Sequence, residues 1–459
     1  MYNCFEHKIL RKNSNEFPAK WKNEKTLKNL ELFLQSCWNQ RSAFYDDGSY
    51  KGVQQFIDFD YRDGIKTQNY IGTITFEGEQ LNIFPKVFKL DESDYDASGL
   101  ETKDMMKSLL IWIEYCEKSM FPFISNKSNL VESNSLKELL ITLYIKYVKE
   151  TIERQLYFQY EDITEVGTSI KGKINFNDYI INKFPLGDKH KFEYTYSSFE
   201  FDNKLNRIIK CVCNGLKKET DSVLNKKALR DILTRFNEVT NENCTPYDCD
   251  QVHLDSLHQN YSTILSMSKM FLLNKSSNDE FGLSNSFCFL FPAEMLFEGF
   301  VAGFMKKEFT GYANIRTQAN DTHLAELVYN DENVGSISNL REDILIEKNG
   351  DIFIFDTKYK ELDRFEKVKQ DKNKLDVSDA DLKQMAVYAA KRNAKRLCLI
   401  YPLHREEELE IDKVHLDIDI SDDGSRIFPC DIKKIPFIYE EDTAKTEATI
   451  KQLLLDSIC

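Results

Sequence analysis

Three residues in the last third of the chain have the types and the spacing that phosphodiester chemistry requires. Asp343, Asp356 and Lys358 lie in the stretch REDILIEKNGDIFIFDTKYK, residues 341–360. Carboxylate oxygens are the ligands that Mg²⁺ prefers in proteins. A lysine beside them can neutralise charge that builds on a phosphate group. If the fold brings the three side chains together, they predict metal-dependent phosphodiester hydrolysis.

The element that must bring them together is a β-hairpin. Two apolar runs flank Asn349-Gly350, which is the strongest short-range signal for a two-residue hairpin turn. With that turn, Lys348 faces Asp351, and the pairing continues outward residue by residue. The register therefore predicts that Asp343 lies directly opposite Asp356.

Strand alternation places Lys358 on the same face as Asp356, two residues earlier. The run 352–355 is apolar on both faces, which indicates a strand covered on both sides. Carboxylates placed directly opposite each other repel, and a bound divalent cation would relieve the repulsion. The alternative is a solvated hairpin end at which the two aspartates simply tolerate each other.

The spacing Asp…Asp-x-Lys is the PD-(D/E)xK nuclease pattern. We predict that Asp343, Asp356 and the backbone carbonyl of Thr357 bind Mg²⁺, for which Mn²⁺ can substitute, and that Lys358 acts on the phosphate or the attacking water. Glu342 stands where the pattern has proline. That departure is tolerable, because the proline shapes the entry to the strand and binds no metal.

Two predicted helices supply further candidates. In the helix predicted over 379–395, Gln384 and Tyr388 are four residues apart and share one face. They either contact DNA or support the site, or they only pack the helix against the rest of the protein. In the helix predicted over 292–309, Glu298 is either an additional metal ligand or an ordinary charged residue on an amphipathic helix. Four basic residues near the end of the first helix either contact DNA phosphates or form a solvated face: Lys391, Arg392, Lys395 and Arg396.

The surrounding pattern predicts an α+β multidomain protein. Residues 1–104 are read as an N-terminal β-rich domain that ends in an acidic linker, 91–104; the partner-binding role of this domain follows only from the family resemblance given below. Residues 105–285 form a mainly helical middle region. Residues 286–459 form a C-terminal α/β domain of the PD-(D/E)xK nuclease fold with a mixed sheet, in which strands are predicted at about 312–317, 324–329 and 397–401.

Composition limits the classes of function. The formal charge is −14, whereas a protein that binds nucleic acid alone usually carries a basic excess. A DNA-acting chain of this charge needs a local basic surface or a partner that brings the DNA.

Eleven scattered cysteines, no secretion signal and no run of about 18 apolar residues predict a cytoplasmic protein without a membrane span. Gly167–Lys173 begins like a phosphate-binding loop, but Ile174 replaces the required hydroxyl residue.

Four stretches of the sequence resemble the McrC family, the nuclease subunit of McrBC-type modification-dependent restriction systems, including their LlaJI-type relatives. They are YIGTITFEGEQLNIFPKVF (70–88), GTSIKGKINF (167–176), FEFDNKLNRIIK (199–210) and a nuclease block from MLFEGFV (295–301) through REDILI and FDTKYK to DLKQMAVYAA. The resemblance covers most of the chain and is specific in the last block.

The resemblance implies a division of labour. A hexameric McrB-like AAA+ GTPase would recognise and translocate double-stranded DNA, and the amino-terminal part of this chain would enter the ring and stimulate GTP hydrolysis. The carboxy-terminal domain would cleave foreign or modified DNA through Asp343, Asp356 and Lys358. Two alternatives stay open, an adaptor whose nuclease fold is inactive and a nuclease that works without a motor. Whether two complexes pair to cut both strands also stays open.

Overall fold

The computed structural model describes residues 1–41, 52–88, 99–116, 135–178, 180–181, 190–281, 286–329, 332–362, 377–404, 414–421, 423–436 and 443–458. The chain is a mixed α+β protein with several sheets. It divides into two compact units, Lys137–Glu280 and a larger unit that combines Met1–Leu136 with Phe281–Cys459. The three segments predicted from the sequence, 1–104, 105–285 and 286–459, divide the chain differently and remain a prediction. The proposed linker lies outside the described residues over 91–98, and 99–104 belong to a helix.

The amino-terminal part of the larger unit combines short strands with two longer helices. Its elements are β1 (Tyr2–Phe5), β2 (Ile9–Arg11), α1 (Glu24–Gln40), β3 (Ile57–Asp60), β4 (Gly64–Thr67), β5 (Tyr70–Phe76), β6 (Glu79–Phe84) and α2 (Gly99–Tyr115). One sheet has the order β2-β4-β3, and a second has the order β1-β6-β5 with a fourth strand from much later in the chain. The described amino-terminal residues therefore contribute to two small sheets, and the assignment of 1–104 as a β-rich domain remains a prediction.

The unit Lys137–Glu280 is mainly helical, with one three-stranded sheet of order β7-β9-β8. Its elements are α3 (Leu136–Arg154), β7 (Gln159–Gly167), β8 (Lys173–Ile174), α4 (Phe176–Asp178), β9 (Phe192–Glu200), α5 (Lys204–Glu219), α6 (Val223–Arg235), α7 (Pro246–Asp250) and α8 (Ser262–Phe281). The loop that resembles a phosphate-binding loop leads into β8. A phosphate-binding loop would open a helix at that point.

The carboxy-terminal part of the larger unit is organised around a six-stranded mixed sheet. Its elements are β10 (Phe287–Pro292), α9 (Ala293–Glu308), β11 (Asn314–Tyr329), β12 (Glu332–Lys348), β13 (Asp351–Thr357), α10 (Asp379–Arg392), β14 (Arg396–Leu403), β15 (Val414–Asp419), β16 (Ile427–Pro436) and α11 (Thr443–Leu455). The sheet order is β11-β12-β13-β14-β16-β15. The two strands predicted between 312 and 329 are a single strand, β11.

The hairpin of β12 and β13 has the predicted register. Lys348 pairs with Asp351, and the ladder continues to the pair Ile344 and Phe355. Asn349 and Gly350 have φ values of 53° and 88°, as a two-residue turn of this kind requires. Six central side chains are at most 2% exposed, so both faces of the hairpin are covered: Ile344, Leu345, Ile346, Phe353, Ile354 and Phe355.

Residues from the two ends of the sequence meet inside the larger unit. Strand β10 pairs antiparallel with β5 from Phe287 opposite Thr75 onward. The hydroxyl of Tyr359, next to the predicted catalytic lysine, donates a hydrogen bond of 2.5 Å to the buried carboxylate of Glu6. Burial raises the pKa of Glu6. The amino-terminal segment therefore contacts both strand β10 and the residues that directly follow β13.

Helix α9 lies against α2 at two glycines. A Cβ atom added at Gly303 would lie 1.7 Å from the carbonyl oxygen of Tyr115, and one added at Gly299 would lie 2.1 Å from the sulfur of Cys116. Real Cβ atoms do not approach other atoms so closely, so side chains at these positions would push the helices apart. Within the described residues, no helix is long and apolar enough to cross a membrane.

We predict that Gly303→Ala lowers the free energy of unfolding by about 2–3 kcal/mol, because the added methyl group overpacks a buried contact with backbone. Denaturant unfolding followed by circular dichroism measures the change. Gly215→Ala is the control, since Gly215 lies in helix α5 with open space around its Cα, and there alanine should stabilise by up to about 1 kcal/mol. Equal effects of the two substitutions would contradict the prediction.

Candidate active site

Asp356, on strand β13, is the most buried of the predicted site residues, at 1% exposure. Burial, and next the negative charge of Asp343, raise the pKa of Asp356 to about 7. Its Oδ2 atom lies 2.5 Å from the Nζ atom of Lys358. Apart from this ion pair, Oδ2 accepts no hydrogen bond within the described part of the chain. The site therefore contains a buried acid whose Oδ2 atom is paired with the ammonium group of Lys358.

Asp343, on strand β12, lies one position beyond the pair Ile344 and Phe355, as the predicted register requires. Its Oδ2 atom accepts hydrogen bonds from the backbone N–H of Thr357 at 3.0 Å and from the Thr357 hydroxyl at 2.9 Å. These two bonds hold the Asp343 carboxylate against β13. The structure thus brings both aspartates to the same end of the hairpin.

Lys358 contacts three side chains through its Nζ atom. Besides Asp356, it donates to the Oε1 atom of Gln384 at 3.0 Å and lies 3.8 Å from the Oδ1 atom of Asp381. Burial by itself lowers the pKa of Lys358, but Asp356 and then Asp381 and Asp343 outweigh burial and raise it. The side chain is therefore an ammonium ion at neutral pH.

Helix α10 brings Gln384 and Tyr388 to this site. The Nε2 atom of Gln384 donates to the Tyr388 hydroxyl at 2.8 Å, and that hydroxyl donates to the backbone carbonyl of Arg341 at 2.8 Å. The chain of hydrogen bonds turns the Gln384 carbonyl toward Lys358. Gln384 and Tyr388, four residues apart, lie on one face of the helix, as predicted. Their contribution to activity remains a prediction.

Glu298, on helix α9, is connected to the aspartates through a residue that the sequence analysis did not identify. The Nε2 atom of Gln318 donates a hydrogen bond to Glu298 and lies 3.5 Å from the Oδ1 atom of Asp343. Gln318 lies in strand β11 with φ at 52°, a left-handed conformation that no sequence pattern indicates. Asp381 was also missed, although its position three residues before Gln384 places it on the same helix face.

The residues present fit a Mg²⁺ ion held by few protein ligands. Mg²⁺ keeps several waters and is commonly bound through one or two carboxylates, which Asp343 and Asp356 supply. Within the described ranges no three His, Cys, Asp or Glu side chains are grouped so as to hold a metal ion. The carbonyl of Thr357 remains a predicted third ligand. What the structure shows for this residue is the pair of hydrogen bonds to Asp343.

The basic cluster at the end of α10 is largely neutralised by carboxylates. Arg392 forms two contacts, of 2.8 and 3.1 Å, with the fully buried Glu342. Lys395 lies 2.5 Å from Asp351, and Arg396 lies 3.1 Å from Asp431. Glu342, at the position of the proline in the pattern, thus fixes strand β12 to helix α10. Three of the four basic residues form ion pairs with carboxylates of this chain.

Comparison with known proteins shows which solved structures have a similar fold. The fold is similar to that of a chain in the refined half-complex from a tetradecameric assembly of Thermococcus gammatolerans McrB AAA+ hexamers with bound McrC. Identity is 16%, the alignment covers 99% of both chains, and the TM-score is 0.65. A chain of the Thermococcus gammatolerans McrBC complex matches with 17% identity over 69% of this chain and 89% of its own, with a TM-score of 0.48. No curated protein sequence matches significantly.

The fold is therefore one found in an McrB–McrC assembly. The model of the family described as McrBC 5-methylcytosine restriction system component matches residues 65–402, which is more than half of the chain. The chain belongs to this family, and the predicted family resemblance is confirmed.

The raised pKa of Asp356 predicts a pH effect on stability in metal-free buffer. In the unfolded chain this acid ionises near its ordinary value of 3.8, and in the folded chain near 7. Between these values the folded state binds the extra proton, so stability falls as pH rises from about 4 to about 7. The loss is at most about 4 kcal/mol, at about 1.4 kcal/mol for each unit of pKa.

Asp356→Asn should flatten this part of the pH dependence, measured by denaturant unfolding in the presence of a chelator. Asp351→Asn is the control on the same strand, because its carboxylate is 44% exposed and forms a surface ion pair with Lys395. The prediction is wrong if the two variants have the same pH profile as the unsubstituted protein.

Proposed function

We propose that this protein is a Mg²⁺-dependent DNA endonuclease subunit that works in a complex with an McrB-like AAA+ GTPase ring. The observation that carries the proposal is the group formed by Asp343, Asp356 and Lys358 at the end of one hairpin. Two carboxylates and an ammonium ion, half-buried or buried beside one another, are the minimal set for metal-assisted phosphodiester hydrolysis.

Membership of the McrBC family and the fold similarity support the partner in this proposal. The solved assembly contains McrB AAA+ hexamers with bound McrC, and we infer that this chain takes the position of the McrC subunit. The carboxy-terminal sheet would then have the PD-(D/E)xK nuclease fold, and the amino-terminal part would contact the ring and stimulate GTP hydrolysis. The net charge of −14 suits a nuclease to which a partner delivers DNA.

The residues of the site divide the chemistry between them. Asp343 and Asp356 would hold Mg²⁺, which supplies an activated water and stabilises charge on the phosphate when bound. Mn²⁺ can take the same hard oxygen ligands. Lys358, held as an ammonium ion by the surrounding carboxylates, donates hydrogen bonds to a phosphate oxygen and balances its developing negative charge. Gln384, fixed by Tyr388, orients this ammonium group. Glu298 would act on Asp343 through Gln318.

Asp356→Asn should lower DNA cleavage by at least about a hundredfold, because it removes one of two charged metal ligands. The assay measures cleavage of plasmids with and without 5-methylcytosine by the complex with an McrB-like GTPase in Mg²⁺. Stimulation of the partner's GTP hydrolysis should be unchanged. Asp351→Asn, on the same strand, should retain full cleavage.

The two alternative functions give different outcomes in that experiment. If Asp356→Asn cuts DNA as well as the unsubstituted protein, the proposed site is not the nuclease site. If no preparation cuts DNA while GTP hydrolysis is still stimulated, the chain is an adaptor with an inactive nuclease fold. Cleavage by the purified chain with Mg²⁺ alone would show that it needs no motor.

A further inference from the structure

The lysine of the proposed site is placed where a metal ion would compete with it. Its Nζ atom lies 2.5 Å from the Oδ2 atom of Asp356, and that oxygen accepts no other hydrogen bond within the described residues. An ammonium group at this distance takes the position in which a cation would meet the carboxylate. Binding of a divalent ion to the Oδ2 atom of Asp356 therefore requires Lys358 to move to other acceptors.

Among the described residues, Asp381 is the acidic residue besides Asp356 that lies within 4.0 Å of the Lys358 ammonium group. It lies in the first turn of helix α10 and is 7% exposed. Its Oδ1 atom is 3.8 Å from the Nζ atom of Lys358, and its Oδ2 atom is 2.9 Å from the Nζ atom of Lys360. The Lys360 contact fixes the carboxylate, so that Oδ1 faces the site lysine.

Gln384 lies one turn later on the same helix and already accepts a hydrogen bond from Lys358 at 3.0 Å. Its own orientation is fixed by Tyr388 and, through Tyr388, by the backbone carbonyl of Arg341. An ammonium group that leaves Asp356 can keep this hydrogen bond and gain the Asp381 carboxylate. The shift required is small, because the carboxylate oxygen is 3.8 Å away.

We propose that Asp381 is a positioning residue that receives the ammonium group of Lys358 when a divalent cation binds Asp343 and Asp356. This inference rests on the proposed function, since it assumes that these two aspartates bind the metal. Asp381 would act through Lys358. In a protein without the Asp381 carboxylate, the ammonium group of Lys358 would stay on Asp356 and oppose metal binding. The positive charge of Lys358 is then balanced by Asp356 before the metal binds and by Asp381 afterwards.

The test is calorimetric titration with Mn²⁺ alone, without DNA, so that binding is measured separately from cleavage. Asp381→Asn should weaken Mn²⁺ binding about tenfold, as is typical for a residue that supports a metal site from outside it. Lys358→Met should strengthen binding, because the competing ammonium group is gone. In the Lys358→Met background, Asp381→Asn should change the affinity less than twofold.

Asp379→Asn is the matched control, because Asp379 lies in the same first turn of α10 but is exposed. It should leave Mn²⁺ affinity unchanged. Thermal unfolding of each variant reports whether it folds, and the Lys358→Met measurement tests the competition independently of position 381.

The outcomes separate this inference from the proposed function. If the intact protein does not bind Mn²⁺, or if Asp356→Asn does not weaken binding, the proposed function and this inference are both overturned. If the intact protein binds Mn²⁺ and Asp381→Asn binds it equally well, only the role of Asp381 is overturned. A tenfold loss that persists in the Lys358→Met background also overturns it, because Asp381 would then act on the metal by its charge alone.

Discussion

The turn at Asn349-Gly350 determines which side chains of strands β12 and β13 can meet. Both turn residues have positive φ, and the ladder that follows runs without a shift from Lys348 opposite Asp351 to Ile344 opposite Phe355. Because the side-chain period of a strand is two, a slip of one residue would send one aspartate to the other face of the sheet. The covered faces of the hairpin make such a slip costly, so apolar packing indirectly holds the two acids together.

The site places several charges where little water reaches them. Asp356 is almost fully buried, and the ammonium group of Lys358 lies 2.5 Å from its Oδ2 atom. Breaking a buried ion pair by removing one partner typically costs about 3–5 kcal/mol. The additional acceptors around Lys358 reduce this cost, because the lysine keeps hydrogen-bonding partners when one contact is lost. A site built in this way can accept a cation without leaving its own lysine uncompensated.

Local patterns predicted much of this site. The hairpin register followed from a dipeptide turn signal, Lys358 from strand alternation, and the pair Gln384 and Tyr388 from helical spacing. Each prediction depended only on residues near one another in the sequence. The family resemblance, carried by the same motifs, agrees with the family to which the chain belongs.

The features that were missed depend on contacts between distant segments or on local irregularity. Gln318 reaches Asp343 from a neighbouring strand with a left-handed residue in it. The acidic partners that neutralise the basic cluster, such as Glu342 for Arg392, could not be paired by spacing alone. Strand β10 joins β5 across more than two hundred positions, and no periodicity reports such a pairing.

The pairing of β10 with β5 limits which fragments of this chain can be expressed on their own. A fragment that begins near Phe287, the boundary suggested by composition, would contain β10 without the strand that satisfies its backbone hydrogen bonds. It would also lose Glu6, the carboxylate that accepts a hydrogen bond from the Tyr359 hydroxyl next to the proposed site lysine. Unpaired strand edges of this kind are templates for aggregation. The six-stranded sheet should therefore be expressed together with Met1–Leu136, and we expect a recombinant fragment that omits them to aggregate.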